Sequence, residues 1–520
     1  MPQIRNDEPI NSVINDLFGF SFQASMIAKL VGGKDSQNHL SVGVSGSWGS
    51  GKTSLLNMVR EFLKYKQHND EKEKLEKILF SRTYCHMSEA RRSEIDQRII
   101  YLWAFFMKLE QENIELEDFI TDENKVIWFD PWFFGSEETV IKAFFYRIAK
   151  ELVDEDRELS KLFLKLAVVM VGSPDLPESS SLPVVGDALK IINFGRNLIN
   201  RMSGDDGSIM DFSDIKRKIC ERLKTNEFTY VDDEDDIKKK TRKRIVIIID
   251  DLDRLQVDEA LTMLKVIRLV TEFGVNFVIG YDEETLSATI DKNCGSHGRE
   301  YIRKMVSIPW YVSYWKSTDM ISRIFIHYKE TDIYNQISRE MDDRELNIAN
   351  LNELLEVIVK TPREALNLIN LLKIVTNQVN MVDYLLLCLL RIYYPRMFDK
   401  MKEREWPFMH SLNTNRLSFI HNQDKFEPGE SKTETKTEHV PDPRSLGTIS
   451  NQLQRVAVTK ESNTTTTKTN KYKLDYLFLV GSERDDIIIT RIIEILEKNT
   501  SYDSIMNFNS WKYYFGLLNC

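Results

Sequence analysis

The chain of 520 residues is long enough for two or three domains, and its 42% hydrophobic and 10% aromatic content is typical of a globular protein. A net charge of −10 provides no global reason to expect binding to nucleic acid or membranes, although nucleic-acid and peripheral membrane binding both stay open. The sequence contains neither a signal peptide nor the roughly 18 consecutive apolar residues of a membrane helix. With five scattered cysteines, we expect a cytoplasmic protein without a transmembrane segment.

The periodicity of apolar residues predicts strands that alternate with helices. The predicted helices cover residues 10–31, several charged stretches within 60–125, 137–153, 258–273 and much of 313–395. The predicted strands cover residues 40–44, 125–130, 244–250 and 275–282. This alternation favours an α/β fold with a parallel sheet flanked by helices, followed by a helical lid or second subdomain.

A glycine-rich turn, SGSWGSGKTS, lies between the first strand and the next helix. Its spacing, Gly46-x-x-x-x-Gly51-Lys52-Thr53, matches the phosphate-binding P-loop, and its strand and helix neighbours are those that the motif requires. The glycines let successive backbone N–H groups face phosphate oxygens, and the helix N-terminus adds partial positive charge. Lys52 would reach the β- and γ-phosphates, and the Thr53 hydroxyl would bind Mg²⁺. The predicted nucleotide-binding residues are Gly46, Ser47, Trp48, Gly49, Ser50, Gly51, Lys52, Thr53 and Ser54.

The segment RIVIIIDDLDRL is an apolar strand that ends in two carboxylates. In P-loop chemistry the first of these, Asp250, holds the magnesium ion, usually through water, and the second, Asp251, polarises the attacking water. An apolar strand with an acidic end is common by itself. Together with the P-loop it predicts nucleotide binding and hydrolysis.

Two arginines are candidates for contacts with the phosphates. Arg254 is either an arginine finger that acts across a subunit interface or a structural ion-pair partner, and the sequence leaves both readings open. The acidic residues available for that pair are Asp250, Asp253 and Glu259. Arg363 follows Pro362 at the start of a helix in KTPREALNLINLL, where a lid arginine would reach back to the phosphates. We favour this functional reading over that of a surface arginine.

Other features favour structural roles. Tyr281 and Asp282 end a strand and are candidate sensors of hydrolysis, although a plain strand end is the favoured reading. Cys294 and His297 have the spacing of a zinc-ligand pair, but no second pair accompanies them, so we do not predict a zinc site. The aromatic residues of FDPWFF mainly indicate core packing, with a nucleotide contact by Asp130 as the alternative.

Several motifs together resemble the KAP family of P-loop NTPases, which is named for a neuronal ankyrin-rich membrane scaffold and a plasmid-encoded phage-exclusion protein. The motifs are GSWGSGKTSL, WFDPWFF, IDDLDRL, YIRKMVSIPW and the N-terminal DEPINSVINDLFGF. The resemblance covers about residues 7–60, 124–152 and 242–395. The combination is specific, whereas each motif alone is not.

The resemblance implies an additional-strand ATPase core with a helical lid and an insertion between the two nucleotide motifs. It implies that Lys52 and Thr53 hold the phosphates and the magnesium ion, and that Asp250 and Asp251 serve the metal and the attacking water. It also makes Arg254 the candidate arginine finger and Arg363 the candidate lid sensor. ATP is the expected nucleotide by this resemblance, and the absence of a guanine-reading Asn-Lys-x-Asp motif agrees with it.

The chain departs from the family in three respects. Asp130 stands where the family usually has asparagine before Pro-Trp, which changes the charge of that turn. The insertion over residues 154–241 contains no membrane helix, unlike that of many members, and ankyrin repeats are absent. Membrane anchoring is therefore not predicted.

We predict the following organisation of the chain. Residues 1–312 form a P-loop core with insertions at about 60–125 and 154–241, and residues 313–395 form a helical lid subdomain. A connecting segment (396–420), a low-complexity linker (421–472) and a small C-terminal segment (473–520) follow.

Three functions fit these motifs. The first is a homo-oligomeric Mg-ATPase that acts as a conformational or assembly switch, by resemblance in bacterial defence against phage, with a partner effector. The second is an interaction scaffold that binds nucleotide for structural reasons and docks partners through residues 396–520. The third is a small-molecule or nucleic-acid kinase, which the paired carboxylates and long helical lid make less favoured.

Overall fold

The computed structural model describes residues 8–34, 39–120, 123–171, 212–224, 227–231, 238–312, 331–343, 345, 348–374 and 379–402, together with 488–489, 492 and 495–496. The predicted linker over 421–472 lies outside the described residues. The chain divides into a larger unit, Arg5–Lys329 with Val359–Asn367, and a smaller unit, Met1–Ile4 with Glu330–Ile358 and Leu368–Cys520. Each unit is described by itself.

The larger unit is built on a twisted sheet of largely parallel strands. Its strands are β1 (Ser41–Ser45), β2 (Glu123–Phe129), β3 (Glu227–Val231), β4 (Lys238–Ile249), β5 (Asn276–Tyr281) and β6 (Ile308–Tyr311). The order is β2-β4-β5-β1-β6, all parallel, and β3 pairs antiparallel with β4. The strand β5 therefore lies between the P-loop strand β1 and the acidic strand β4. This arrangement confirms the predicted additional-strand α/β fold.

Helices cover both faces of this sheet. Those described in the larger unit are α1 (Phe20–Gly32), α2 (Lys52–Leu63), α3 (Tyr65–Leu79), α4 (Arg82–Cys85), α5 (Glu89–Gln111), α6 (Glu137–Leu152), α7 (Arg157–Val171), α8 (Phe212–Lys224), α9 (Val257–Glu272), α10 (Glu283–Cys294) and α11 (Gly298–Met305). The helices α1 and α2 pack on one face, and α6 and α9 pack on the other. Because both faces are covered, β4 needs apolar side chains on both sides, which explains the continuous run from Ile245 to Ile249.

The first predicted helix begins ten residues later than expected. Residues 10–19 do not form the start of a helix; they contain a 3-10 turn, Val13–Asn15, and α1 begins at Phe20. Gly19 adopts a left-handed φ of 75°, which interrupts the helix there. The Asp16 carboxylate then accepts hydrogen bonds from the N–H groups of Phe18 (3.0 Å) and Ser21 (2.8 Å). The apolar periodicity over residues 10–31 was therefore a misleading signal at its N-terminal end.

The predicted charged helices between the first two strands are α3, α4 and α5, which pack as a helical hairpin beside α2. Within it, Arg98 forms a bidentate ion pair with Glu71, at 2.8 and 2.7 Å. The second insertion contributes α7 and α8, which pack on each other, and α7 also packs on α6. Residues 172–211 of that insertion lie outside the described residues.

The described part of the smaller unit is helical. It contains α12 (Thr331–Asp343), α13 (Ile348–Ile358), the C-terminal part of α14 (Pro362–Ile374), α15 (Met381–Tyr393) and α16 (Pro395–Lys402). The Glu340 carboxylate accepts from the backbone N–H of Val382 at 2.8 Å, which joins α12 to α15. None of the helices in the described ranges has both the length and the apolarity needed to cross a bilayer.

Candidate nucleotide-binding site

The glycine-rich turn joins β1 to α2 in the conformation of a phosphate cradle. Gly51 adopts a left-handed φ of 92° immediately before α2, a conformation that favours glycine. Lys52 begins the helix, and its ammonium group donates to the carbonyl oxygens of Gly46 at 2.8 Å and Ser47 at 3.4 Å. The lysine thus lies across the concave side of the turn, where the backbone N–H groups and the helix N-terminus attract an anion.

The acidic strand ends directly beside this turn. The Thr53 hydroxyl donates to Asp250 Oδ2 at 2.7 Å, across 197 residues of sequence. Asp250 is only 2% exposed, and burial, together with the nearby negative charge of Asp251, raises its pKa to about 7. A hydroxyl and a buried carboxylate in contact are the oxygen donors that a magnesium ion prefers.

The neighbouring strand leaves room for Asp250 only because Gly280 has no side chain. A Cβ atom at Gly280 would lie 2.8 Å from Asp250 Oδ1 and 2.8 Å from the Leu56 side chain. The inserted strand β5 therefore shapes the site, although no motif pointed to this glycine.

The second carboxylate of the acidic strand is paired within the chain. Arg254 Nη2 lies 2.9 Å from Asp251 Oδ2, and the guanidinium lies 5.4 Å from the centroid of the Trp132 ring. Asp251 has a left-handed φ of 56°, so the chain turns sharply after β4 and brings Arg254 back over it. The expected ion-pair partner of Arg254 was Asp250, Asp253 or Glu259, and that expectation was wrong because the partner is Asp251. Glu259 instead accepts a hydrogen bond from the N–H of Gln256 at the start of α9.

Arg363 lies beside the turn, at the beginning of α14. Its guanidinium is 5.4 Å from the centroid of the Trp48 ring, and its backbone N–H donates to the Gly49 carbonyl at 3.5 Å. Trp48 is 75% exposed although it lies within the P-loop motif. The structure therefore brings Arg254 and Arg363 to the P-loop, each stacked on a different tryptophan.

A cavity of about 440 Å³ opens beside the turn, within the range of ligand pockets. Its lining includes Gly51, Lys52 and Thr53, with Asp251 and Arg254. It also includes residues that were not predicted to form the site. They are Glu8, Pro9, Ile10, Asn11, Asn15, Leu17 and Phe18 of the N-terminal segment and Pro362 and Leu366 of α14. The motif DEPINSVINDLFGF contributed to the family resemblance but gave this segment no role in the site, because the residues that hold it lie on α2.

Comparison with known proteins agrees with this geometry. The KAP family P-loop domain matches residues 20–379, which is more than half of the chain. The chain belongs to the KAP family of P-loop proteins. It is 20% identical over 415 residues to the phage T7 exclusion protein of Escherichia coli (strain K12), which covers 76% of this chain and 47% of that protein. The chain thus spans about half the length of this curated relative. No solved structure matches it.

Two further acidic residues of this KAP domain lie near the site. Asp130, of the Asp-Pro-Trp turn, accepts from the Trp128 indole N–H at 2.8 Å, and burial raises its pKa, as does the charge of Asp251. Burial also raises the pKa of Asp253, whereas the positive charge of Lys52 lowers it. The site is therefore strongly acidic around Lys52, and a bound cation would relieve the repulsion among these carboxylates.

The candidate sensor residues at the end of β5 have structural contacts. The Tyr281 side chain is 2% exposed within the hydrophobic core, and its carbonyl accepts from the Gly46 N–H at 3.2 Å. Asp282 caps α10 by accepting from the N–H groups of Glu284 (3.0 Å) and Thr285 (3.2 Å). These contacts agree with a plain strand end that also anchors the P-loop.

Within the described ranges, no three histidine, cysteine, aspartate or glutamate side chains are grouped to hold a metal ion. This does not disfavour magnesium at the KAP site, because magnesium in P-loop proteins takes a hydroxyl, water and phosphate oxygens besides a carboxylate. Thr53 and Asp250 are such a donor pair.

Proposed function

We propose that this KAP protein binds Mg-ATP at the P-loop, hydrolyses it to ADP and phosphate, and uses the nucleotide state as a conformational or assembly switch. The observation that carries the proposal is the 2.7 Å contact between Thr53 Oγ1 and Asp250 Oδ2. This contact supports a cation shared by the P-loop hydroxyl and the strand-end carboxylate. The two motifs on which P-loop hydrolysis depends thus meet in one site.

Each proposed role follows from a contact of this chain. Lys52 would exchange its carbonyl partners for phosphate oxygens, and Thr53 and Asp250 would hold the magnesium ion. A bound cation would neutralise phosphate charge and orient the phosphates. Asp251 would polarise the attacking water once Arg254 releases it.

The remaining proposed roles concern assembly. We propose that Arg254, 41% exposed at its side chain, acts on the phosphates of a second copy in a homo-oligomer, and that Arg363 senses the nucleotide from the lid. The lid would be the helical region over residues 313–395. We also propose that the protein acts in the cytoplasm, in defence against phage and with a partner effector, on the basis of the phage T7 exclusion protein.

Phosphate release from ATP by the purified protein tests the enzymatic part. We expect turnover by the wild type that stops in Lys52→Ala and Asp251→Ala and requires Mg²⁺. Lys161→Ala, which removes a surface lysine of α7 paired with Glu158, is the matched control and should keep full activity. Nucleotide binding is measured in parallel with a fluorescent ATP analogue. Loss of turnover with retained binding distinguishes the hydrolytic role of Asp251 from the phosphate-binding role of Lys52.

The ion pair of Asp251 favours a second candidate, a nucleotide-binding scaffold with little turnover. A carboxylate oxygen that is already paired with an arginine is less available to an attacking water molecule. Binding of ATP without phosphate release over a wide range of protein concentrations would select the scaffold. Turnover that rises with protein concentration would select the assembling ATPase.

The proposed biological role needs a cellular test. Bacteria that produce the wild-type protein should plate phage less efficiently than bacteria that produce equal amounts of Lys52→Ala, with Lys161→Ala as the control. Equal plating on all three strains, with a panel of phages that includes T7, would contradict the defence role and leave the nucleotide chemistry unaffected.

A further inference from the structure

The cavity beside the P-loop has both polar and apolar lining residues. The polar ones include Lys52 and Thr53 of the predicted phosphate cradle. The apolar ones include Ile10, Leu17 and Phe18 of the N-terminal segment, which form an N-terminal wall, and Pro362 and Leu366 of α14. A nucleotide whose phosphates lie at Lys52 and Thr53 would have apolar side chains available for contact with its base.

The N-terminal wall is fixed to the P-loop helix by hydrogen bonds. Ser54 Oγ accepts from the Ile10 N–H at 3.0 Å, Asn57 Nδ2 donates to the Ile10 carbonyl at 3.2 Å, and Glu61 Oε2 accepts from the Val13 N–H at 2.7 Å. Ser54, Asn57 and Glu61 are three and four positions apart, so they lie along one face of α2. The same helix thus begins at the phosphate cradle and positions the N-terminal wall of the cavity.

Burial and a fourth hydrogen bond to α2 reinforce this attachment. Ser12 Oγ donates to Glu61 Oε1 at 2.9 Å, and the Tyr101 hydroxyl also donates to Glu61, which is 6% exposed. The wall is therefore positioned before any ligand binds. Preorganisation of this kind lowers the entropy cost of binding.

The N-terminal segment contributes three polar side chains to the cavity, and they differ in availability. Glu8 has a partner within the chain, and Asn11 Oδ1 accepts from Asn57 Nδ2 at 3.0 Å. Asn15 uses its backbone N–H in the 3-10 turn, and its side-chain amide has no partner among the described residues. Asn15 is thus the side chain of this segment that is available to a ligand.

We propose that the apolar residues lining the cavity hold the base and that Asn15 selects adenine over guanine. An asparagine amide offers one acceptor and two donors, which match the N6 amino group and N7 of adenine. Guanine presents the acceptors O6 and N7 at the same edge, so the amide oxygen would face another acceptor. The inference rests on the proposed nucleotide binding and adds the residue that chooses the base.

Competition with a fluorescent ADP analogue in the presence of Mg²⁺ tests this assignment. The competitors are ATP, GTP and tripolyphosphate, which retains the phosphate chain and lacks the base. For the wild type we expect ATP to compete at least about tenfold better than GTP, and tripolyphosphate to compete more weakly than ATP. In Asn15→Ala, ATP should weaken to the level of GTP, whereas GTP and tripolyphosphate should be unchanged.

Asn11→Ala is the matched control, because it removes the same amide from the same segment. It should lower the affinities for ATP and GTP in equal proportion, if at all. An equal affinity of the wild type for ATP and GTP would overturn the inference, as would an ATP preference that survives in Asn15→Ala or disappears only in Asn11→Ala. In these cases binding itself persists, so the proposed nucleotide site stands. Absence of binding of the fluorescent analogue to the wild type would instead remove both.

Discussion

Arg254 Nη2 lies 2.9 Å from Asp251 Oδ2, so the candidate arginine finger neutralises the candidate water-polarising carboxylate of the same loop. Both groups are close to the cavity that contains Lys52 and Thr53. An arginine that reaches the phosphates of another subunit must leave this carboxylate. Release of Arg254 on assembly would therefore free Asp251 at the moment when the finger becomes available, which couples hydrolysis to oligomerisation.

Mixing two inactive variants tests this coupling. Arg254→Ala and Asp251→Ala should each lose nearly all phosphate release, because each lacks one of the two groups. A mixture should regain activity, since the Asp251→Ala subunit supplies its arginine to an Arg254→Ala subunit with an intact carboxylate. Phosphate release is measured against the mixing ratio.

A mixture of Arg254→Ala with Lys52→Ala is the positive control for this experiment, because the second subunit again supplies the arginine. Recovery in neither mixture, at concentrations at which the wild type is active, would mean that Arg254 acts only within its own chain. Arg254→Lys keeps the positive charge beside Asp251 but loses the planar guanidinium that stacks on Trp132. This variant therefore distinguishes the effect of the ion pair with Asp251 from the effect of the guanidinium geometry that an arginine finger needs.

The sequence predicted the parts of the fold that depend on local pattern. The β-branched run of β4 predicted a buried parallel strand, and the glycine spacing of the P-loop predicted the joining of β1 to α2. The added strand between β1 and β4 was implied by the family resemblance and is present as β5. The start of α1 was wrong, because periodicity does not register the left-handed Gly19 or the Asp16 side chain that accepts from Ser21. The contribution of the N-terminal wall to the cavity was missed for a different reason. The Val13 N–H of that segment bonds to Glu61, 48 positions away, and the sequence contains no local pattern for such a distant pair.

Gly280→Ala should damage both stability and the metal site. The new methyl group would lie 2.8 Å from Asp250 Oδ1 and from Leu56, so the carboxylate or the strand must shift. We expect a loss of about 1–3 kcal/mol in the free energy of unfolding and loss of the Mg²⁺ dependence of nucleotide binding. Urea unfolding and binding with and without EDTA measure the two effects.

Ile279→Val on the same strand provides the control for stability, since it costs about 0.5–1.5 kcal/mol without touching Asp250. It should leave the Mg²⁺ dependence unchanged. The same binding defect in both variants would show that general loosening of β5, rather than the approach to Asp250, is responsible.

His68 makes the stability of the larger unit depend on pH. Burial, together with the positive charge of Arg98, lowers the pKa of His68 from 6.5 to about 4. The unfolded chain therefore binds a proton more readily, so this stability is fully present above pH 6.5 and is lost as the pH falls towards 4. Between pH 7.5 and 5.0, the wild type should lose about 2 kcal/mol more than His68→Gln, by urea unfolding at each pH.

His86→Gln is the control for this prediction, because His86 is exposed at the end of α4. It should follow the pH profile of the wild type. Comparison of variants also cancels the other titrating groups, such as Glu61, whose pKa is raised by burial. A parallel profile for the wild type and His68→Gln would contradict the lowered pKa.

The stacking of Arg363 on Trp48 should report nucleotide binding. The guanidinium lies 5.4 Å from the centroid of an indole that is 75% exposed, and a phosphate chain in the adjoining cavity would attract the arginine. Mg-ATP should therefore change the tryptophan fluorescence of the wild type, and this change should disappear in Trp48→Phe. Arg363→Ala should also lower the affinity for ATP about tenfold, because a charge-assisted contact is lost.

Trp103→Phe, which removes an indole of α5 that donates to Glu76, should retain the full signal. A signal that persists in Trp48→Phe would assign it to another indole, and an unchanged affinity in Arg363→Ala would remove this residue from the phosphate site.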